Sequence, residues 1–337
     1  MSGGQRQTRV AVIGAGAIAQ VAHLPILTRM RGVEVAALYD AEHAKARTIA
    51  DRFQVPYVAR SADEIWNDDE VQAVVICTPN HLHEEQVSSS IQAGKFVLCE
   101  KPLALDASGA LRILAHDGAA ERLVVGMNQR FRPDAIALKS FVSGGELGEI
   151  FYSRAGWLVR RAVPPNQSWR QQKRVAGGGA LMDLGLQMLD LSLWLTDYPE
   201  PERVSAHIHG VGGDEVEDSA VLLIHLKGNH VLHLEVTWAF RSNRERQYLH
   251  LLGSSGSGSL GPLEIFKEMD SGLTEVTPQL APGLENQYMA SYRQQLSSFL
   301  ELVRGERENE PPRDQVVLLR IAEAAYRSAR EGSEVRF

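Results

Sequence analysis

Two short stretches of the chain combine residue types and spacing that can do chemistry. Gly14-Ala15-Gly16-Ala17-Ile18-Ala19 follows one apolar run and opens a helical pattern. Glu100-Lys101-Pro102 closes a later apolar run, Phe96–Cys99, and sets a lysine, stiffened by a proline, at a strand end. In the first stretch Gly14 allows a tight turn, Gly16 lets the backbone approach a pyrophosphate, and Ala19 keeps helix and strand close. The helix start at Ala17 and Ile18 then offers free N–H groups to phosphates. About twenty residues beyond Ala19, Asp40 ends the next strand-like run, where a carboxylate accepts hydrogen bonds from both ribose hydroxyls. An acid there repels a 2′-phosphate and no arginine follows immediately, so NAD is favoured over NADP. A bound nicotinamide with a lysine beside it is the minimum equipment for moving a hydride at a hydroxyl carbon. Desolvation beside a cofactor makes an ammonium group easier to deprotonate, as general acid–base work needs.

Positioning these groups takes a parallel sheet, and the first part of the chain has its signature. Strand-like runs at Arg9–Ile13, Val33–Tyr39, Ala73–Cys77, Phe96–Cys99 and Leu123–Gly126 alternate with helical patterns. The helices fall at about Ile18–Met30, His43–Arg52, Ser61–Trp66, His83–Ala93 and Ala107–Glu121, with Asp106 as an N-cap and Gly94 as a C-cap. Such a sheet binds ligands outside the carboxyl ends of its strands.

After Gly126 the pattern changes. A helix near Pro133–Val142 and a strand around Glu149–Leu158 lead into a loop rich in Arg, Pro and Gln. A helix at about Ala180–Leu195 is apolar all round and should be largely buried. Runs at Val204–His209, Ala220–His225, Val231–Phe240, Tyr248–Leu252 and Leu263–Lys267 predict an antiparallel sheet. Gly253–Gly258 reads as low-complexity, and helices near Asn286–Arg304 and Asp314–Arg330 close the chain. The expected fold is α/β: a Rossmann doubly wound parallel sheet over 1–126, then an α+β domain with an open, mostly antiparallel sheet over 127–337.

At 337 residues the chain is long enough for two domains of ordinary size. Its hydrophobic share of 44% and charged share of 23% are those of a soluble globular protein. A net charge of −7 gives no basic footprint for nucleic acid. Apolar runs such as Val71–Cys77 are far too short to cross a bilayer, and Met1–Arg9 is polar and unlike a secretory signal. A cytoplasmic protein with no membrane partner is expected. Cys77 and Cys99, the only cysteines, end neighbouring-strand candidates and are expected as reduced core thiols.

The chain resembles the Gfo/Idh/MocA oxidoreductases, named for glucose–fructose oxidoreductase, inositol dehydrogenase and a rhizopine catabolism protein. The matching segments are Val10–Ala19, Thr78-Pro79-Asn80 with His83, Ala93–Leu103, Gly126–Phe131, Trp169-Arg170, and Gly177-Gly178-Gly179 through Asp190. The resemblance implies a second domain whose sheet buries one face in a homodimer or homotetramer. It also implies that Lys101 points at the reacting carbon and its hydroxyl. Thr78, Asn80, His83, Glu100 and Asn128 would line the cofactor side, and Arg130, Trp169 and Arg170 would meet a sugar-like substrate.

One position departs from the family. Sugar and polyol oxidisers often carry Asp-x-Gly-x-His-x-x-Asp on this helix, and here the segment runs from Asp183 to Asp190 with Gln187 in the histidine position. Asp183 and Gln187 are one helical turn apart, so both can face the cleft. An amide donates and accepts hydrogen bonds but takes up no proton at useful pH, so the proton work shifts to Lys101, assisted by Asp183. The leading expectation is an NAD-dependent dehydrogenase of sugars, polyols or their derivatives. The rivals are an NAD-dependent glycoside hydrolase or lyase working by transient oxidation, and a non-catalytic NAD and sugar sensor. His207, His209, His225, His230 and His233 lack a zinc-like arrangement, so no metal is expected.

Overall fold

Short, β-branched apolar runs become the strands of a parallel sheet because both faces of such a sheet are covered. In the computed structural model, which describes residues 7–160, 169–210, 215–280 and 286–337, six strands form it. They are β1 (Thr8–Ile13), β2 (Val33–Tyr39), β3 (Tyr57–Val58), β4 (Ala73–Ile76), β5 (Phe96–Glu100) and β6 (Leu123–Gly126). Their order is β3-β2-β1-β4-β5-β6, every neighbouring pair being parallel. The order reverses between β1 and β4, so the crevice that takes ligands lies at the carboxyl ends of those strands. The glycine turn, Thr78 and Lys101 follow β1, β4 and β5 on that same edge. Cys77 and Cys99 are buried free thiols, and burial pushes both above the ordinary thiol range.

The chain divides into two compact units, 1–128 with 288–316, and 129–287 with 317–337. The expected boundary after Gly126 therefore describes only the first passage of the chain. Helix Gln287–Val303 returns to the first unit, where Tyr292, Leu296, Phe299, Leu300 and Val303 join Val10, Val12, Leu24, Leu27 and Leu98 in one core. Two other expectations change locally. The helix expected over Ala107–Glu121 is two, Ala107–Leu114 and Ala119–Arg122, broken at Gly118 with φ +84°. The helix expected from Ile18 opens with a π-helical turn, Ala19–His23, before Leu24–Leu27.

The second unit is built on nine strands: β7 (Ile150–Leu158), β8 (Pro201–His209), β9 (Ser219–Leu226), β10 (His230–Thr237), β11 (Arg246–Gly253), β12 (Gly256–Leu260), β13 (Glu264–Met269), β14 (Gly272–Glu275) and β15 (Val335–Arg336). Their order is β14-β13-β12-β11-β7-β10-β9-β8-β15, antiparallel except for the central pair β7–β10. Along β10, residues alternate between buried and half-buried, so one face is covered while the other stays open. The stretch Gly253–Gly258 supplies most of a strand rather than a loose segment. A Cβ on Gly258 would stand 2.3 Å from Leu138 Cδ1 of helix Pro133–Ser143, so a larger residue there would have to push that leucine aside.

Two stability predictions follow from these cores. Phe299→Ala should cost about 3–5 kcal/mol, read as a lower urea midpoint, although Phe299 lies far along the chain from the sheet it covers. His230 is buried with Nε2 2.6 Å from Ser153 Oγ, and burial pushes its pKa from 6.5 down to about 4. The unfolded ring protonates first as pH falls, so this contribution is whole above pH 6.5 and is lost toward pH 4. The slope is about 1.4 kcal/mol per pH unit. His230→Gln should flatten that acid arm when urea midpoints are compared at about pH 7 and about pH 5.

Candidate functional site

The glycine turn has the geometry that its sequence requires. Gly14 sits at φ +98°, and a Cβ there would lie 2.8 Å from the carbonyl carbon of Cys77. At Gly16, by contrast, the nearest atom a Cβ would meet is Cys77 O at 3.7 Å, so the outer side of the turn is open for close approach. Ala17 is exposed and Ile18 half-buried at the helix start. Asp40 is registered to this turn, because its Oδ2 accepts the Ala15 N–H at 2.8 Å, while Gly14 N–H donates to Tyr39 O at 2.7 Å. Oδ1 accepts the Glu42 N–H at 2.9 Å, and Lys45 Nζ lies 2.9 Å from Oδ2. A tight turn, an open amide-lined helix start and an acid at the next strand end fit a dinucleotide.

Lys101 is half-buried directly after β5, and its neighbours on both sides are buried. Glu100 Oε1 lies 2.7 Å from His23 Nε2, which must carry the proton since a carboxylate only accepts. His23 is fully enclosed and meets Tyr292 edge-on, with ring centroids 5.4 Å apart. On the far side Pro102 O is 2.7 Å from His83 Nδ1, and His83 Nε2 is 2.9 Å from Thr78 O. His83 thus spends both ring nitrogens inside the protein. Thr78 Oγ1 donates to Gln86 Oε1 at 2.6 Å, and Asn80 is buried in the short turn that follows. Asn128, expected on the cofactor side, donates its amide N–H to Ser291 Oγ at 2.9 Å.

In the second unit the helix carrying Asp183 and Gln187 begins with a π-helical turn, Leu181–Gly185, and continues over Leu186–Leu195. Between Leu181 and Asp190 every residue is buried except Asp183 and Gln187, which share one face. Gln187 Nε2 donates to the Asp183 carbonyl at 2.9 Å, which leaves Oε1 as the amide's accepting group. The helix start is held by Glu217, a residue sequence reasoning missed. Its Oε1 accepts the N–H groups of Gly179 and Leu181, each at 2.9 Å, and the Tyr326 hydroxyl at 2.9 Å. The glycine triplet makes room for this: a Cβ on Gly179 would stand 1.9 Å from Glu217 O.

Arg130 is drawn into the same helix, where Asp190 accepts from its guanidinium and from the Tyr198 hydroxyl. Trp169 and Arg170 are half-buried and stacked, with the guanidinium carbon 4.4 Å from the ring centroid. Residues 161–168 of the loop rich in Arg, Pro and Gln lie outside the described residues. His23 and Lys45 were also missed. His23 had a signal, since it falls four residues after Ala19 on a helix face otherwise apolar. Glu217 had none, because its contacts reach back 38 and 36 residues.

Residues 8–127 match the oxidoreductase family model for an NAD-binding Rossmann fold, and residues 139–337 match that for the family's C-terminal alpha/beta domain. D-glucoside 3-dehydrogenase of Escherichia coli is 26% identical over 365 residues, covering 97% of each chain. Inositol 2-dehydrogenase of Acidothermus cellulolyticus is 28% identical over 305 residues, 88% of this chain and 84% of that one. The solved structure of GenD2 from gentamicin A biosynthesis, in complex with NAD, is similar with a TM-score of 0.84 at 27% identity, covering 98% of this chain and 97% of that one. The chain therefore belongs to the Gfo/Idh/MocA oxidoreductase family, with NAD as its cofactor.

Proposed function

We propose that the enzyme is a dehydrogenase acting on a secondary hydroxyl of a sugar, polyol or sugar derivative, with Lys101 as the acid–base group. The observation that carries this reading is the situation of Lys101. It is half-buried after β5, on the sheet edge that also bears the glycine turn, with Glu100 and Pro102 each fixed by a buried histidine. The relatives named above act, by their names, on a glucoside and an inositol, rings dense in secondary hydroxyls.

When bound, NAD supplies the acceptor for the hydride that leaves the carbinol carbon. Lys101 Nζ, in its amine form, takes the hydroxyl proton as the carbonyl forms, and as ammonium it returns that proton in the reverse direction. Asp183 and Gln187 orient the substrate through its hydroxyls. Gln187 takes up no proton, so its part is positioning through Oε1. Trp169 and Arg170 offer a ring face and a guanidinium suited to sugar or carboxylate recognition. Asp40, mostly buried beside a partly exposed Lys45, keeps an acid where a ribose diol would lie and disfavours a 2′-phosphate there.

The reading extends to a homodimer or homotetramer formed through the open face of the nine-stranded sheet. Val221 and Leu223 on β9 support it, with 41% and 40% of their surface exposed. A second reading is kept by Gln187 alone: a chain that binds NAD and a sugar without turnover.

Absorbance at 340 nm with NAD and a panel of sugars, polyols and uronic acids tests both readings. The wild type should form NADH with at least one of them. Lys101→Met should lose roughly 10²–10⁴ in rate with NAD binding intact. Full activity in that variant would remove Lys101 from the chemistry. Gln187→His should act on the same substrates as the wild type; turnover in Gln187→His alone would favour the sensor. Sugar cleavage without net NADH would favour the hydrolase or lyase.

A further inference from the structure

His83 begins the helix His83–Gln92, and its ring is fully enclosed. Its two nitrogens face two carbonyl oxygens, Pro102 O at 2.7 Å and Thr78 O at 2.9 Å. Carbonyls only accept, so each contact needs a proton from the ring. A neutral imidazole owns one N–H. Burial pushes His83 below the ordinary histidine range and so favours the neutral ring, against the backbone carbonyls and Glu100, which pull the other way. One contact therefore carries the proton and the other does not.

Three observations assign it. The Pro102 contact is the shorter of the two. It is also buried throughout, whereas the Thr78 contact is only partly so, and an unsatisfied carbonyl costs most where water cannot reach it. The Thr78 turn has other anchors: Thr78 Oγ1 on Gln86 Oε1 at 2.6 Å, and Cys77 N–H on Ile13 O at 2.7 Å.

We infer that His83 is a positioning residue for Lys101: its Nδ1–H donates to Pro102 O and fixes the turn from which the lysine projects. The inference rests on the reading of Lys101 as the acid–base group. With His23 on Glu100 at 2.7 Å, the lysine then stands between two histidine anchors, one on each neighbouring residue. His83 acts on the rate only through Lys101, and it has no spare nitrogen for cofactor or substrate.

Neutron diffraction from deuterium-exchanged crystals of the wild type reads the proton directly. A deuteron on Nδ1 is expected; a deuteron on Nε2 alone overturns the inference. Two substitutions then test the consequence, because the terminal amide of Asn falls near the place of Nδ1 and that of Gln near the place of Nε2. His83→Asn should keep kcat within about threefold of the wild type, while His83→Gln should lose roughly 10- to 100-fold in kcat. Both should keep the NAD Kd within about threefold, since the glycine turn and Asp40 are untouched. A histidine that only stabilises the fold would lower kcat and Tm alike in both variants, and that result overturns the inference. Lys101→Met in the same assay separates the two claims. If it stays active, the acid–base reading fails and takes this inference with it. If it is inactive while the Asn and Gln variants match, only the role of His83 fails.

Discussion

The hydrogen bond between Glu100 and His23 ties three parts of the NAD-binding unit together. His23 belongs to the helix that the glycine turn opens, Glu100 ends β5 beside Lys101, and Tyr292 of the returning helix closes over the imidazole. The pair is buried, so neither partner can turn to water if the other is lost. Removing one side of such a contact leaves a buried polar group unsatisfied and typically costs about 1–3 kcal/mol. The helix that follows the glycine turn and the strand end beside the lysine are thus joined by one buried hydrogen bond, with Tyr292 of the returning helix against its imidazole.

A comparable economy holds the helix of Asp183 and Gln187 in the other unit. One carboxylate oxygen of Glu217 gathers two helix-start N–H groups and a tyrosine hydroxyl. The negative charge lies where a helix N-terminus favours it. Glycines at 178 and 179 are what let the Glu217 backbone and Tyr326 come so close, since a Cβ at either would stand 1.9 Å from them. The triplet that looks like flexibility in the sequence is therefore a packing condition for a fixed helix. Only Asp183 and Gln187 are half-buried on a stretch otherwise buried, which is how an apolar helix comes to present a polar face.

The glycine turn and its surroundings were legible because their parts are local: a strand, a turn, a helix start and an acid at fixed spacing. Its context, not the glycines alone, made Gly14, Gly16 and Asp40 readable. The rest depended on contacts that spacing does not encode. Helix Gln287–Val303 shows the same amphipathic pattern whichever core it joins, so its return to the parallel sheet could not be read from the pattern. His23 and Glu100 are separated by 77 residues. Asn128 and Arg130 were recognised as polar groups near a strand end, yet Ser291, Asp190 and Tyr198 engage them. A sequence reveals that a side chain can donate; it does not reveal to whom. Gln187 was the informative departure, because swapping an imidazole for an amide removes proton transfer while leaving hydrogen bonding, whatever surrounds it.

The central claim is that Lys101 supplies the amine that carries the hydroxyl proton. Chemical rescue tests it most directly: Lys101→Ala, saturated with NAD and substrate, is assayed for NADH formation with added methylamine, ethylamine and bulkier primary amines. The account predicts an inactive variant whose turnover returns with the small amines and rises with their basicity, as general base catalysis requires. Turnover at the wild-type rate with no amine present would contradict it.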